Sequence, residues 1–191
     1  MRRQLRLSER RRALYIYKAM VFVPKKFLGL AVLPVLLAVL LLPSAAYAGC
    51  TDTPAPGVDW KRCSLDNRQF LNADLSGADL RSAFFARSDF TGSNLSGVDG
   101  RRTKFVSAVF TNTRFDDARL IGADFTTSEL VNTSFKGADL RRARFFRANL
   151  RGANFTGATL GDADFLKADL SGATWVDGKT ICAEASIGQC N

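Results

Sequence analysis

The sequence predicts a repeat domain, a solenoid assembled from pentapeptides, and two observations carry that prediction. Written in fives from Cys63, residues 63–177 keep one unbroken phase: ADLSG at Ala73, ADLRS at Ala78, SNLSG at Ser93, ADLRR at Ala138, ANLRG at Ala148, ANFTG at Ala153, ADFLK at Ala163 and ADLSG at Ala168. Of the 23 central positions, 11 are Phe and 10 are Leu, with Gly100 and Trp175 completing the set; the residue two before the centre is Ala, Ser, Thr, Val or Cys everywhere except at Arg68. A period of five fits neither the two-residue alternation of a strand nor the 3.6-residue turn of an amphipathic helix. Self-similarity at a fixed period over 115 residues reads instead as one stacked unit repeated.

These motifs resemble the pentapeptide-repeat family, whose signature is Ala, then Asp or Asn, then Leu or Phe, then two variable positions. The resemblance implies an all-β fold, a right-handed quadrilateral β-helix in which one pentapeptide forms one side and four form a coil. Twenty-three sides give nearly six coils, a rod about 27 Å long at roughly 4.8 Å per coil. The central residue and the small residue two before it are expected to point inward. Taking every fourth pentapeptide, one side stacks Leu65, Phe85, Phe105, Phe125, Phe145 and Phe165, and another stacks Leu80, Gly100, Leu120, Leu140 and Leu160. The contrast between a Phe ladder and a Leu ladder predicts different turn types around the square. Gly100 keeps phase, so it is expected to be a local weak point that a larger side chain would strengthen unless the backbone there needs positive φ.

The elements follow in chain order. Residues 1–48 carry nine Lys and Arg against Glu9 alone, a charge of +8, so the chain's net +9 leaves only +1 for the rest. A basic stretch, the apolar run Phe27 to Leu42, Pro43 and the small-residue sequence ending at Ala48 make the order of a secretory signal, with cleavage expected between Ala48 and Gly49. Translation from Met20 would leave a signal of ordinary proportions. The competing reading is an uncleaved anchor, with the basic flank cytoplasmic and the remainder translocated in either case.

Cysteine usage agrees with export. Cys50, Cys63, Cys182 and Cys190 form two local pairs at opposite ends of the mature chain. Four cysteines allow three connectivities, and proximity favours Cys50 with Cys63 and Cys182 with Cys190. Residues 49–62, with Trp60, and 178–191 are read as disulfide-tied caps, because open coils would leave unpaired strand edges. The C-terminal ICAEASIGQC is expected to form a short helical turn.

Outward positions are where function would reside. The acidic residues before the centres, Asp74, Asp79, Asp89, Asp124, Asp139, Asp164 and Asp169, are read as backbone-binding turn residues, not a calcium ladder. The Leu-ladder side carries Arg81, Arg101, Arg102, Arg119, Arg141 and Arg142 outward, with Lys104, Arg144 and Arg147 just beyond its corner, interleaved with Asp79, Asp99 and Asp139. This stripe is a candidate anion or partner surface. Phe84, Ala86, Val106, Phe146 and Leu166 lie outside the Phe-ladder side, a candidate apolar partner patch.

The absence of histidine removes Ser-His-Asp and Cys-His catalysis and histidine-based metal sites. With no nucleophile motif and no phosphate loop, the expectation is a noncatalytic, exported structural or protein-interaction solenoid with no cofactor or metal, monomeric or paired end to end, its partner a protein or envelope component. Anion or envelope-surface binding through the arginine stripe is the alternative. Some family members mimic DNA against gyrase through a strongly acidic surface, and a mature charge near +1 speaks against that role here. Nucleic acid is not an expected partner.

Overall fold

The computed structural model describes residues 49–191; the signal segment read over 1–48, with Ala48, lies outside them. The chain winds as a right-handed quadrilateral β-helix, each residue before a centre forming a parallel bridge to the residue 20 further on, from Asp59↔Asp79 to Asn154↔Thr174. Positions −2 to +2 are counted here about each central residue. Trp60 begins the leucine side, which continues through Leu80 to Leu160; Leu65 begins the phenylalanine side. The third side runs Phe70, Phe90, Phe110, Leu130, Leu150, Leu170, and the fourth Leu75, Leu95, Phe115, Phe135, Phe155, Trp175.

A five-residue side can use every backbone donor, as residues 78–82 illustrate. The Ala78 N–H donates to Leu75 O at 3.1 Å within the preceding turn, Asp79 N–H to Val58 O in the coil below at 2.9 Å, and Leu80 and Ser82 N–H to Asp99 O and Arg101 O in the coil above at 2.9 and 3.0 Å. The remaining donor, Arg81 N–H, is taken by Asp79 Oδ1 at 3.2 Å. The acidic or amide residue at −1 therefore supplies an acceptor that the coil itself lacks. All seven Asp residues singled out above play this part, Asp74, Asp89, Asp124, Asp139, Asp164 and Asp169 in the same way.

The turn between sides is the same around the whole square, contrary to the expectation of mixed types. Every +2 residue from Arg62 to Gly172 has positive φ, for example 59° at Arg102 and 66° at Gly77. At every turn but one the next −2 N–H bonds to the preceding centre's carbonyl, as in a type II turn; at Arg68 the N–H donates to Ser88 Oγ at 3.1 Å, which in turn donates to Leu65 O. The Phe and Leu ladders differ in side chain alone, since the backbone register is shared.

The core is solid. The central Phe and Leu residues between Leu75 and Leu150 are essentially fully buried, as are the alanines at −2 such as Ala83 and Ala123. Along the phenylalanine side, rings stack at 5.0–5.5 Å with interplanar angles of 4–17°, and they meet neighbouring sides edge-on, as Phe125 meets Phe135 at 5.9 Å. Where −2 is Ser or Thr, its buried hydroxyl donates to a central carbonyl one coil below, as in Thr103 to Leu80 O and Thr113 to Phe90 O, both 2.7 Å. Gly100 is buried with ordinary φ, and an added Cβ would meet Leu120 Cδ2 at 2.8 Å. The neighbouring leucine leans into the space that the missing side chain leaves.

Both ends are closed by Cys50–Cys63 and Cys182–Cys190. The repeat geometry begins one side before Cys63: Asp59 bridges Asp79, and Trp60 packs under Phe70 and Phe85 at 5.3 and 6.2 Å. The expected C-terminal helical turn is replaced by antiparallel bridges Thr174↔Ile181 and Asp169↔Ile187. The free N–H groups of the last coil explain the difference: Leu170, Gly172 and Trp175 donate to Ser186, Cys182 and Thr180 carbonyls at 2.8–2.9 Å. That cap covers the third and fourth sides; among the described residues, the N–H groups of Leu160 and Phe165 on the other two sides have no protein partner. The core and both disulfides lie within 49–191, inside one compact unit, Ala46–Asn191, and this part therefore holds all that its own folding requires.

Candidate interaction surface

The leucine side carries Arg81, Arg101 and Arg141 at +1 and Arg119 at −1. Each +1 arginine folds back on the aspartate two residues before it: Arg81 Nε is 2.8 Å from Asp79, Arg101 from Asp99 and Arg141 from Asp139. Arg119 reaches down one coil to Asp99 at 2.7 Å, so three guanidinium groups gather on one carboxylate. Burial pushes the Asp99 carboxyl up, but the hydrogen bonds from Arg101 and Arg119 outweigh it and hold it at about 2. Asp79 and Asp139 are lowered chiefly by Arg81 and Arg141. Four of the nine cations of the predicted stripe are therefore paired with carboxylates of the leucine side itself.

The other members behave differently. Arg102 and Arg142 occupy +2 turn positions, in line with Arg62, and none of the three forms an ion pair among the described residues. Ser82 and Gly122 separate them, so exposed guanidinium groups recur every second coil, roughly 9.6 Å apart. Lys61, Arg62, Arg81, Ser82, Arg101 and Arg102 line a shallow depression of about 200 Å³; Ile121, Arg141, Arg142, Gly161 and Asp162 line another of about 410 Å³. Lys104 and Arg144 sit on the phenylalanine side and share Asp124, at 3.1 and 3.6 Å.

The apolar patch lies on the same phenylalanine side. Phe84 is 47% and Leu166 59% exposed, with Ala86, Val106 and Phe146 half-buried. Arg147 lies over the Phe146 ring at 5.2 Å. Sequence reasoning overlooked the cations of the next corner, Arg87 and Lys167, and the outermost pair of the first, Lys61 and Arg62. The signal was present, since arginine stands repeatedly where Asn or Gly occurs in other pentapeptides; its meaning depended on knowing that +2 is left-handed. Among the described residues no group of three or more Cys, Asp or Glu is arranged to hold a metal ion, and no helix is long and apolar enough to cross a membrane.

A continuous coil of five-residue sides, closed at both ends and decorated by charge at its corners, defines a pentapeptide-repeat solenoid. The sequence matches two profiles, "Pentapeptide repeats (8 copies)" over residues 61–97 and 69–105 and "Pentapeptide repeat region" over 98–175, and the chain belongs to the pentapeptide-repeat family. No curated protein matches it. Similar solved structures include the pentapeptide-repeat protein Rfr23 from the cyanobacterium Cyanothece 51142, with 19% identity and a TM-score of 0.41 over 55% of this chain and 82% of that one. HetL from Nostoc sp. strain PCC 7120, involved in heterocyst differentiation regulation, shares 20% identity with a TM-score of 0.32 over 63% and 92%. QnrB1, a plasmid-mediated fluoroquinolone resistance protein, shares 22% with a TM-score of 0.43 over 60% and 71%.

Proposed function

We propose that this protein is a noncatalytic interaction module, exported from the cytoplasm, that presents side chains to a partner from a rigid rod. The observation that carries the reading is the division of labour along the coil: the centre and, except at Arg68, the −2 residue are buried or half-buried in a solid core, and the other positions mostly face outward on a backbone whose hydrogen bonds fix them. A packed interior leaves no cleft for a substrate, whereas a surface held to a regular coil spacing suits recognition. Export is supported by the secretory order of residues 1–48 and by two disulfides that leave no free cysteine. The anion-binding alternative rests on the unpaired arginines Arg102 and Arg142, not on the self-paired ones.

The test is crosslinking and affinity capture from the exported fraction, repeated with Arg102 and Arg142 changed to Asn. A specific partner retained by the wild type, and lost in that variant if the stripe is the contact, is the expected result. Capture of nothing above background, together with turnover of a substrate by the pure protein, would overturn the noncatalytic reading.

A further inference from the structure

We infer that the phenylalanine side, with its two bordering corners, is a docking face for anionic lipid headgroups. Six cations stand at left-handed +2 positions, and all six border this one side: Arg62, Arg102 and Arg142 at one corner, Arg87, Arg147 and Lys167 at the other. Arginine and lysine are poor choices for positive φ. The two remaining corners use only Asn, Gly and Asp at the same position, so the cations follow location and not the demands of the turn. Among the described residues none of the six forms an ion pair.

Charge is accordingly polarised. The face and its corners hold eight cations against Asp66, Asp124, Asp162 and Asp164; the opposite side and its corners hold Arg114 and Lys136 against Asp74, Asp116, Asp117 and Asp177. Three of the carboxylates on the cationic face are already engaged, Asp124 with Lys104 and Arg144, Asp66 with the Ala86 N–H and Asp164 with the Leu166 N–H.

Between the two cationic rows stand Phe84, Val106, Phe146 and Leu166. They rise singly from a flat face whose −1, central and +2 N–H groups are bonded to adjacent coils below the last one, so between the rows this face offers a peptide no groove, and a strand edge only at Phe165 in the last coil. Spaced apolar side chains flanked by distributed positive charge suit an interface that accepts both, the headgroup region of a bilayer containing acidic lipid.

The test uses oxidised residues 49–191 in co-sedimentation with phosphatidylglycerol–phosphatidylcholine vesicles, with pure phosphatidylcholine vesicles as the neutral control. The expected result is salt-sensitive association with the acidic vesicles alone. Changing Arg87, Arg147 and Lys167 together to Asn, which left-handed turns accept, should weaken it by roughly fivefold per cation, on the order of a hundredfold for the three. The pair Arg114→Asn and Lys136→Asn on the opposite side should leave it unchanged. Phe84→Ser with Leu166→Ser should weaken vesicle association while leaving elution from a heparin column unaltered. No association with acidic vesicles at low salt, equal loss in the Arg114/Lys136 pair, or heparin retention with vesicle association indifferent to Phe84 and Leu166 would overturn the inference; the last would indicate a soluble polyanion or an acidic protein.

Discussion

At the scale of single residues, the aspartate or asparagine at −1 has two duties that can be separated. At Asp99 one oxygen caps the Arg101 N–H and the carboxylate gathers Arg81, Arg101 and Arg119. Asp99→Asn keeps an amide acceptor for the turn and loses the charge; it should cost about 1 kcal/mol, and Asp99→Ala more, measured by thermal or denaturant unfolding. The folded carboxyl, at about 2, lies below the ordinary 3.8, so its contribution is fully present above pH 4 and disappears as pH falls through about 2. Asp79 and Asp139 shift in the same direction. Thermal midpoints should therefore drop on acidification in that window, and less steeply in Asp99→Asn. The turn role of these aspartates was legible from the sequence, since short acceptors before a turn have few other uses. The gathering of three arginines on Asp99 was not, because Arg119 arrives from the next coil.

Gly100 belongs to the same scale. Its φ is ordinary, so no backbone need holds glycine there, and the nearest obstacle is the mobile end of Leu120. Gly100→Leu is expected to swing Leu120 back into the ladder and stabilise by about 1 kcal/mol, from added burial and a less flexible unfolded chain. A lowered thermal midpoint would show that Leu120 cannot be re-seated.

At the scale of an element, each side of the coil is held by its ladder and each end by its cap. Phe125 stacks between Phe105 and Phe145 at 5.1 and 5.2 Å, so Phe125→Ala should cost roughly 3–5 kcal/mol. Replacing Cys182 and Cys190 by Ser should loosen the C-terminal strands by roughly 2–4 kcal/mol. Hydrogen exchange should then rise at Leu170, Gly172 and Trp175, whose N–H groups bond to that segment, and remain slow at Phe105 and Phe125. The ladders were legible because every fourth pentapeptide returns to one side. The caps were legible as cysteine-bearing nonrepeats, but not as strands: the form of 178–191 is set by unpaired edge donors of the last coil, which belong to the folded coil and not to the local sequence.

At the scale of the whole molecule, the net +9 of the chain separates into +8 on residues 1–48 and +1 on the rest. That small remainder is distributed unevenly, positive around the phenylalanine side and negative opposite it. The arginine stripe predicted on the leucine side and the apolar patch predicted on its neighbour meet at a shared corner in the fold. What periodicity could not convey was which cations are already paired: the +1 arginines of the leucine side fold onto their own aspartates, and the +2 cations form no ion pair among the described residues. Composition alone would have suggested nucleic acid, and the location of the charge removes most of that suggestion.

Export of a disulfide-closed rod is tested most directly by the intact mass of the native protein recovered outside the cytoplasm, before and after alkylation without reductant. The prediction is a chain beginning at Gly49 that takes up no alkyl group until it is reduced, with all four cysteines held in Cys50–Cys63 and Cys182–Cys190. A cytosolic protein beginning at Met1 or Met20 with four reactive thiols would contradict it.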